Sequence, residues 1–580
     1  MWTRSQRNFA MQWLAVMMNL VAVMFVAGEQ CSAPVVTTSL GEARGFCMHT
    51  RKGHSIAAFT SVPYALPPIG DLRFKGPVAV TAEQWGLGGL DATRSPQPCV
   101  QRNPYIRQKE IVGDEDCLYL NIYVPDAHLR ARDEKKPLPV MVFVHGGGWM
   151  CGDSTVDSYG PELLLDRDVL LVTLNYRLGP LGFLSTQDEV CPGNNGLKDQ
   201  QEALRFVQRH IHNFGGDNRS VTIFGESAGG ASVHFHMLSD TSAGLFARAI
   251  SESGTALVPW AESPPGEALR QAFRLAKFLG CPQAPSWRMI ECLRTRDSYE
   301  IIDTEFTYYE WDYEPMTPFK AVVEPDLPEA FLTRPPRAPR TSPAPPWLMG
   351  LNRDEGCLKS VWITSNRTRY EEFLSGFDRI APLTFYYENS PHADVITRIL
   401  RERYLNQPDE LSTQQAIRQI YGDSYFAYPA LEAVHLALNS STVYLYELAY
   451  RASNSFSQVF GDPHGDYGVC HADELMHLFP IRFLSEPVSE RDLAISELIL
   501  TLWTNFATTG DPNKPLPLPT EWKPARTGSR LEYLVIDEQP TMQQGFANQA
   551  ALWGRLPLWH TLTDVNTQTH EHTNRFYDEL

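Results

Sequence analysis

Val221-Thr222-Ile223-Phe224-Gly225-Glu226-Ser227-Ala228-Gly229-Gly230-Ala231 runs from one kind of periodicity into another with no loop between. Residues 221–224 have the β-branched and aromatic character of a buried strand, and Ala228 to Leu238 reads as a helix. At the junction stands Gly-x-Ser-x-Gly, the pattern that lifts a serine oxygen clear of its backbone on a tight strand-to-helix turn. By composition the five residues alone would occur in roughly one chain of this length in six. The flanking strand and helix therefore carry the reading. An alcohol is a poor nucleophile at neutral pH, so a serine displayed this way needs a base and preformed donors for an oxyanion.

Working outward, Pro139 to Val144 is a short, nearly continuous apolar run ending in glycines, and Val169 to Leu174 is a second. Such runs fit strands buried on both faces of a parallel sheet. Leu197, Ala203, Leu204, Val207 and Ile211 then recur at helical spacing before the strand at 221. The order β, β, α, β points to an α/β, doubly wound sheet. His145-Gly146-Gly147-Gly148-Trp149 follows the first strand, where glycines let backbone N–H groups converge on a substrate oxygen. Gly147, Gly148 and Ala228 are the expected oxyanion donors. The proline-rich stretch from Arg334 to Pro346 can be neither helix nor central strand, and it reads as a surface loop feeding a strand at Trp347 to Gly350. We therefore expect one catalytic domain over 29–580.

The triad partners are less determined. In this type of hydrolase the chain order is serine, acid, histidine, and ten of the sixteen histidines follow Ser227. His471, in Gly468-Val469-Cys470-His471-Ala472-Asp473-Glu474-Leu475, competes with His464 in a Gly/Asp-rich turn. For the acid, Glu355 and its neighbour Asp354 both lie in a turn-rich segment just past the Trp347 strand. Spacing leaves both choices open.

The formal charge of −18 repels phosphate backbones, and no basic run offsets it, which excludes nucleic acid as a partner class. With 43% hydrophobic and 20% charged residues, a large core forms without metal. Arg4 and Arg7, an apolar run from Trp13 to Ala27 and small residues near Gly28 have the layout of a signal peptide over 1–28. No later stretch has the length and apolarity of a bilayer span, so no integral membrane span is expected after signal removal. Entry into the secretory pathway makes the ten cysteines disulfide candidates, with Cys99 and Cys117, and Cys281 and Cys292, close in sequence. Cys31 with Cys47 is a further candidate, and Cys151, Cys191, Cys357 and Cys470 read as buried thiols. No CxxC or Cys/His array suggests zinc. Asn218, Asn366 and Asn439 head sequons for glycosylation. The terminus Tyr577-Asp578-Glu579-Leu580 differs at one position from an endoplasmic-reticulum retrieval signal, so luminal retention by a retrieval receptor is favoured over secretion.

Taken together, the chain resembles the cholinesterase-like, type-B carboxylesterases of the α/β-hydrolase fold from about Pro34 to Pro557. The resemblance rests on Phe59 to Pro67, Leu72-Arg73-Phe74, Glu115 to Asn121, the glycine loop, Asn175-Tyr176-Arg177, Gly182-Phe183-Leu184, Asn195 to Gln200 and Phe214-Gly215-Gly216-Asp217. Gly225 to Leu238 is closest in look to insect carboxylesterases. It implies a large mixed, mostly parallel sheet with helices on both faces. It also implies Ser227, Glu355 and His471 as the triad, the pairs Cys99–Cys117 and Cys281–Cys292, and hydrolysis of a small-molecule carboxylic ester through an acyl-enzyme without a cofactor. Juvenile-hormone esterases of the family commonly carry Gln at the position of Glu226, which disfavours that substrate. Acetylcholine is disfavoured because the Cys99 to Cys117 loop has no tryptophan to stack on a quaternary ammonium. Adhesion proteins of the same family keep the fold as a binding surface without chemistry. Here every triad position is filled, which favours the enzyme over that alternative.

Overall fold

A computed structural model describes residues 32–558 apart from 87, 341, 485–487 and 528–529. The expected signal peptide, Cys31 and the Tyr577 to Leu580 terminus lie outside the described residues. A small sheet pairs β1 (Val35–Thr38), β2 (Gly41–Arg44) and β5 (Leu90–Asp91). The main sheet takes β3 (Phe46–His49), β4 (Ser55–Pro63), β6 (Tyr119–Pro125), β7 (Leu138–Val144), β8 (Leu170–Leu174), β9 (Gly216–Glu226) and β10 (Arg248–Glu252). It continues with β11 (Trp347–Asn352), β12 (Val443–Leu448), β13 (Glu532–Ile536) and β14 (Thr541–Gln544).

The order across these 11 strands is β14-β13-β12-β11-β10-β9-β7-β8-β6-β4-β3. Every pairing from β13 through β8 is parallel, and β14, β6, β4 and β3 are antiparallel at the two margins. The sheet is thus mixed with a parallel centre. Along β7 the side chains alternate between two cores: Val140, Val142 and Val144 belong to one face, Met141 and Phe143 to the other. Helices Asn195–His210 and Ala228–Leu238 pack on the first face, and helix Glu490–Thr509 covers the second with Ile495, Ile499, Trp503 and Phe506. That last helix is delimited by its own chemistry, a Ser489/Asp492 capping box at the start and Gly510 at φ 78° at the end. Among the described residues no helix is long and apolar enough to cross a membrane.

The chain order of β7, β8 and β9 reverses about β7, which has β8 on one side and β9 on the other. In open α/β sheets such a reversal opens a crevice at the carboxyl ends of the strands. The glycine loop leaves β7 and the serine turn leaves β9 side by side, with Val144 opposite Gly225. Buried ion pairs connect the motifs far apart in sequence. Arg177 clasps Asp199 through Nε and Nη2 at 2.7 and 2.6 Å, and Arg73 Nε donates to Glu115 at 2.7 Å. The motifs Asn175-Tyr176-Arg177 and Asn195 to Gln200 therefore fix the scaffold around the crevice.

The structure bridges Cys99 to Cys117 and Cys281 to Cys292. Cys151 and Cys191 are buried free thiols. Cys357 and Cys470, read above as thiols, are instead joined across 113 residues. Their separation in sequence concealed a contact that only the adjacency of β11 and β12 creates.

Candidate active site

Ser227 is the N-cap of helix Ala228–Leu238, at φ 58° and ψ −121°. A non-glycine residue in the left-handed region costs on the order of 1–3 kcal/mol and persists only where neighbours over-determine it. Here the Ser227 N–H donates to the Glu252 carbonyl at the end of β10, and its own carbonyl accepts from Ala231 N, both at 2.8 Å. The unusual dihedrals thus sit on the serine itself. Neither Gly225 nor Gly229 has positive φ. They are required for another reason: a Cβ at Gly225 or Gly229 would lie 2.5 or 2.0 Å from the Val144 carbonyl oxygen. Only glycines let the helix approach the end of β7 this closely.

The loop after β7 adopts φ 93° at Gly147 and 64° at Gly148. It is held by Met150 and Cys151 N–H groups donating to the Gly147 carbonyl, by Trp149 Nε1 donating to Ser232 Oγ, and by Tyr176 donating to the His145 carbonyl at 2.8 Å. The N–H groups of Gly147, Gly148 and Ala228 have no backbone acceptor among the described residues.

β11 and β12 supply the other side. Glu355 follows β11, with one carboxylate oxygen accepting from Asn352 N–H at 2.8 Å and from the Ser253 hydroxyl. Its other oxygen is 2.6 Å from Nδ1 of His471. The opposite ring nitrogen, Nε2, is 3.0 Å from Glu226 Oε1, and the ring packs on Phe426. Among the described residues no hydrogen bond joins Ser227 Oγ to His471. Burial by itself would push the imidazole pKa down. The two carboxylates outweigh it and hold His471 well above the ordinary 6.5. Glu226 is itself raised by burial, against the pull of His471.

Further buried acids surround this pair. Burial lifts Glu252 to about 8 although Trp503 Nε1 donates to it, and Glu474 is raised well above its ordinary value. Asn352 Nδ2 donates to Glu474 and to the Cys470 carbonyl. Asp473 accepts from Cys470 N–H, Phe456 N–H and Ser455 Oγ, shaping the turn in which Ala472 has φ 70°.

Ser227, Glu226, His471, Gly146 and Gly147 lie on a cavity of about 670 Å³. Its lining includes the apolar and aromatic Tyr105, Leu358, Phe456, Phe460 and Phe483. The size suits a small organic ligand. The rivals lie elsewhere. His464 is exposed on a turn capped by Asp462, and Asp354 is engaged with Arg418 and the Val469 N–H. Of the sequons, Asn366 and Asn439 are exposed, whereas the Asn218 amide is half-buried and donates to the Gln208 carbonyl at 3.0 Å.

The profile of the Carboxylesterase family matches residues 32–553. The chain belongs to the carboxylesterase family. Carboxylic ester hydrolysis is the chemistry this membership gives it. Among relatives, it is 37% identical over 546 residues to the carboxylic ester hydrolase of Bombus ignitus, covering 91% of this chain and 94% of that one. It is 35% identical over 509 residues to the juvenile hormone esterase of Tribolium castaneum, covering 83% and 84%. It is also 33% identical over 577 residues to the acetylcholinesterase of Bungarus fasciatus, covering 95% and 91%. Each of these alignments covers more than four fifths of both chains.

Several groups around the site carry no motif of their own. Ser253, Glu252 and Glu474 have no spacing that singles them out, and the cavity aromatics come from segments far apart in sequence, around Tyr105, Phe456 with Phe460, and Phe483. One signal was present: Cys357 lies two residues after Glu355, and Cys470 immediately before His471.

Proposed function

We propose that Ser227 is the nucleophile of this carboxylesterase, His471 its general base and Glu355 the acid that orients and stabilises the imidazolium. The reading is carried by one observation: a serine held in strained dihedrals on a strand-to-helix turn lines one cavity with His471, whose ring is bonded from behind to buried Glu355. In the reaction, the neutral form of His471, its one proton on Nδ1 towards Glu355, turns Nε2 from Glu226 to Ser227 and takes the Oγ proton while Oγ attacks the ester carbonyl. The N–H groups of Gly147, Gly148 and Ala228 receive the oxyanion, and the loss of one such donor typically costs about 100- to 1000-fold in rate. The imidazolium protonates the departing alcohol. Water, deprotonated by the same nitrogen, then releases the acid and restores Ser227.

The aromatic walls favour an uncharged ester with an apolar acyl or alcohol group. We also propose that residues 1–28 direct the chain to the secretory pathway as a cleaved signal, leaving one catalytic domain, and that the Tyr577 to Leu580 terminus retains it in the endoplasmic reticulum. Asn366 and Asn439 are the sequons exposed for glycosylation. Immunolocalisation before and after removal of the four terminal residues tests retention.

The decisive experiment compares the parent chain with Ser227→Ala on acyl esters of increasing length and with an organophosphate as covalent probe. The variant should lose turnover and labelling. Equal labelling of the two proteins overturns the assignment.

A further inference from the structure

Glu355 and His471 are carried by two loops whose relative position sets the hydrogen bond between them, and these loops are fastened on both sides of that bond. On one side, Asp354 N–H donates to the Val469 carbonyl, Val469 N–H donates to the Asp354 carboxylate, and Asn352 Nδ2 donates to the Cys470 carbonyl. All of these precede Glu355 and His471 in their loops. Past Glu355, the fastening is covalent: Cys357 is joined to Cys470, and the His471 N–H donates to Cys357 Sγ at 3.2 Å. Both cysteines are 0% exposed. From Cys357 the chain runs directly into helix Cys357–Thr364, whose Leu358 lines the cavity.

We propose that the Cys357–Cys470 bridge is a positioning cross-link for the His471–Glu355 pair, so that turnover depends on its oxidised state. The inference rests on the assignment of Ser227, Glu355 and His471 made above. Two unbonded thiols stand roughly 1.5 Å further apart than a bonded pair. Because one sulfur belongs to the residue before His471 and the other to the second residue after Glu355, that separation must be absorbed by the two loops. A misplacement of about 1 Å in a reacting constellation can cost roughly 100-fold in rate. The loss falls on proton transfer, because the bridge joins the loops that follow β11 and β12, whereas the serine turn and glycine loop follow β9 and β7.

The test uses the full chain expressed with its disulfides, in three forms: parent, Cys357→Ala/Cys470→Val, and Cys281→Ser/Cys292→Ser as a control for losing a bridge elsewhere. Initial rates on a neutral nitrophenyl ester are recorded from pH 5 to 9. For the first variant we expect kcat to fall tenfold or more, KM to change by less than about threefold, and the acidic limb of the kcat profile to move. The control should keep the parental profile. A folded Cys357→Ala/Cys470→Val protein with parental kcat and an unmoved limb overturns the proposal. Should that variant not fold, the parent is reduced under native conditions, alkylation at Cys357 and Cys470 is mapped by mass spectrometry, and activity is followed against it. Loss of activity in step with alkylation at these two cysteines, with recovery when unalkylated protein is reoxidised, supports the proposal, and full activity after their complete alkylation overturns it. Failure of Ser227→Ala to abolish turnover would instead refute the underlying assignment, whatever the bridge does.

Discussion

His471 stands between two carboxylates, and the balance between them sets the pH at which it can act. A base must be neutral to accept the Ser227 proton, and the raised pKa of His471 keeps it protonated beyond its ordinary range. Activity should therefore rise with pH along a limb above 6.5. Glu226→Gln removes the carboxylate facing Nε2 and one of the charges that raise the imidazole. The limb should shift to lower pH, so that the variant keeps a larger fraction of its maximal rate at acidic pH than the parent does. A kcat profile that does not shift, or shifts upward, contradicts this. The same reasoning separates the two histidines left open by spacing. His471→Ala should lose activity by about 1000-fold or more, whereas exposed His464→Ala keeps it. What sequence made legible at this scale was a residue in an unmistakable local pattern, Ser227. The proposed acid and base were not legible from spacing, because their partnership, across a sequence separation of 116, depends on strands β11 and β12 lying together. The resemblance supplied Glu355 and His471, and the folded chain brings those two, not Asp354 or His464, into contact.

At the level of elements, β7, β8, β9 and β11 announced themselves because both faces are buried and their apolar runs are nearly continuous, whereas the short β10 and the Tyr- and Glu-bearing β12 beside them were not read. The marginal antiparallel strands β3, β4, β6 and β14 did not, since their pairing depends on register rather than on a local pattern. The serine turn shows how a motif read correctly can owe its residues to a different cause. Sequence suggested that the flanking glycines provide freedom to turn, but their conformations are ordinary and the constraint is contact with β7. This makes a definite prediction. Gly229→Ala puts a methyl against the Val144 carbonyl, which belongs to the sheet and has nowhere to retreat. Overpacking of this kind costs about 1–3 kcal/mol. Thermal melting should show a lower midpoint, and kcat should fall because the helix start carrying the Ala228 N–H is displaced from the glycine loop. A variant with parental midpoint and kcat would mean that helix and strand can separate without consequence.

For the whole molecule, the buried acids set stability against activity. Glu226, Glu252 and Glu474 all have pKa values raised in the folded chain, chiefly by burial. An acid with a raised folded pKa holds its proton more tightly folded than unfolded. Its contribution to stability is therefore greatest below the unfolded value and declines as pH rises through the folded one. For Glu252 that window runs from 4.5 to about 8. His471 acts in the same direction, because a base with a raised folded pKa loses its stabilising contribution as pH rises through that pKa. The site is thus most stable where it is least active, as expected when preorganised charge at a reaction centre is maintained by the rest of the fold. Glu252→Gln separates the two effects, since the amide oxygen can still accept from Trp503 Nε1 while the titration disappears. The variant should match the parent near pH 4.5 and become more stable relative to it as pH approaches 8, by on the order of a few kcal/mol. Denaturant melts at several pH values measure this difference directly. A difference that stays constant with pH would mean that Glu252 does not titrate across this range.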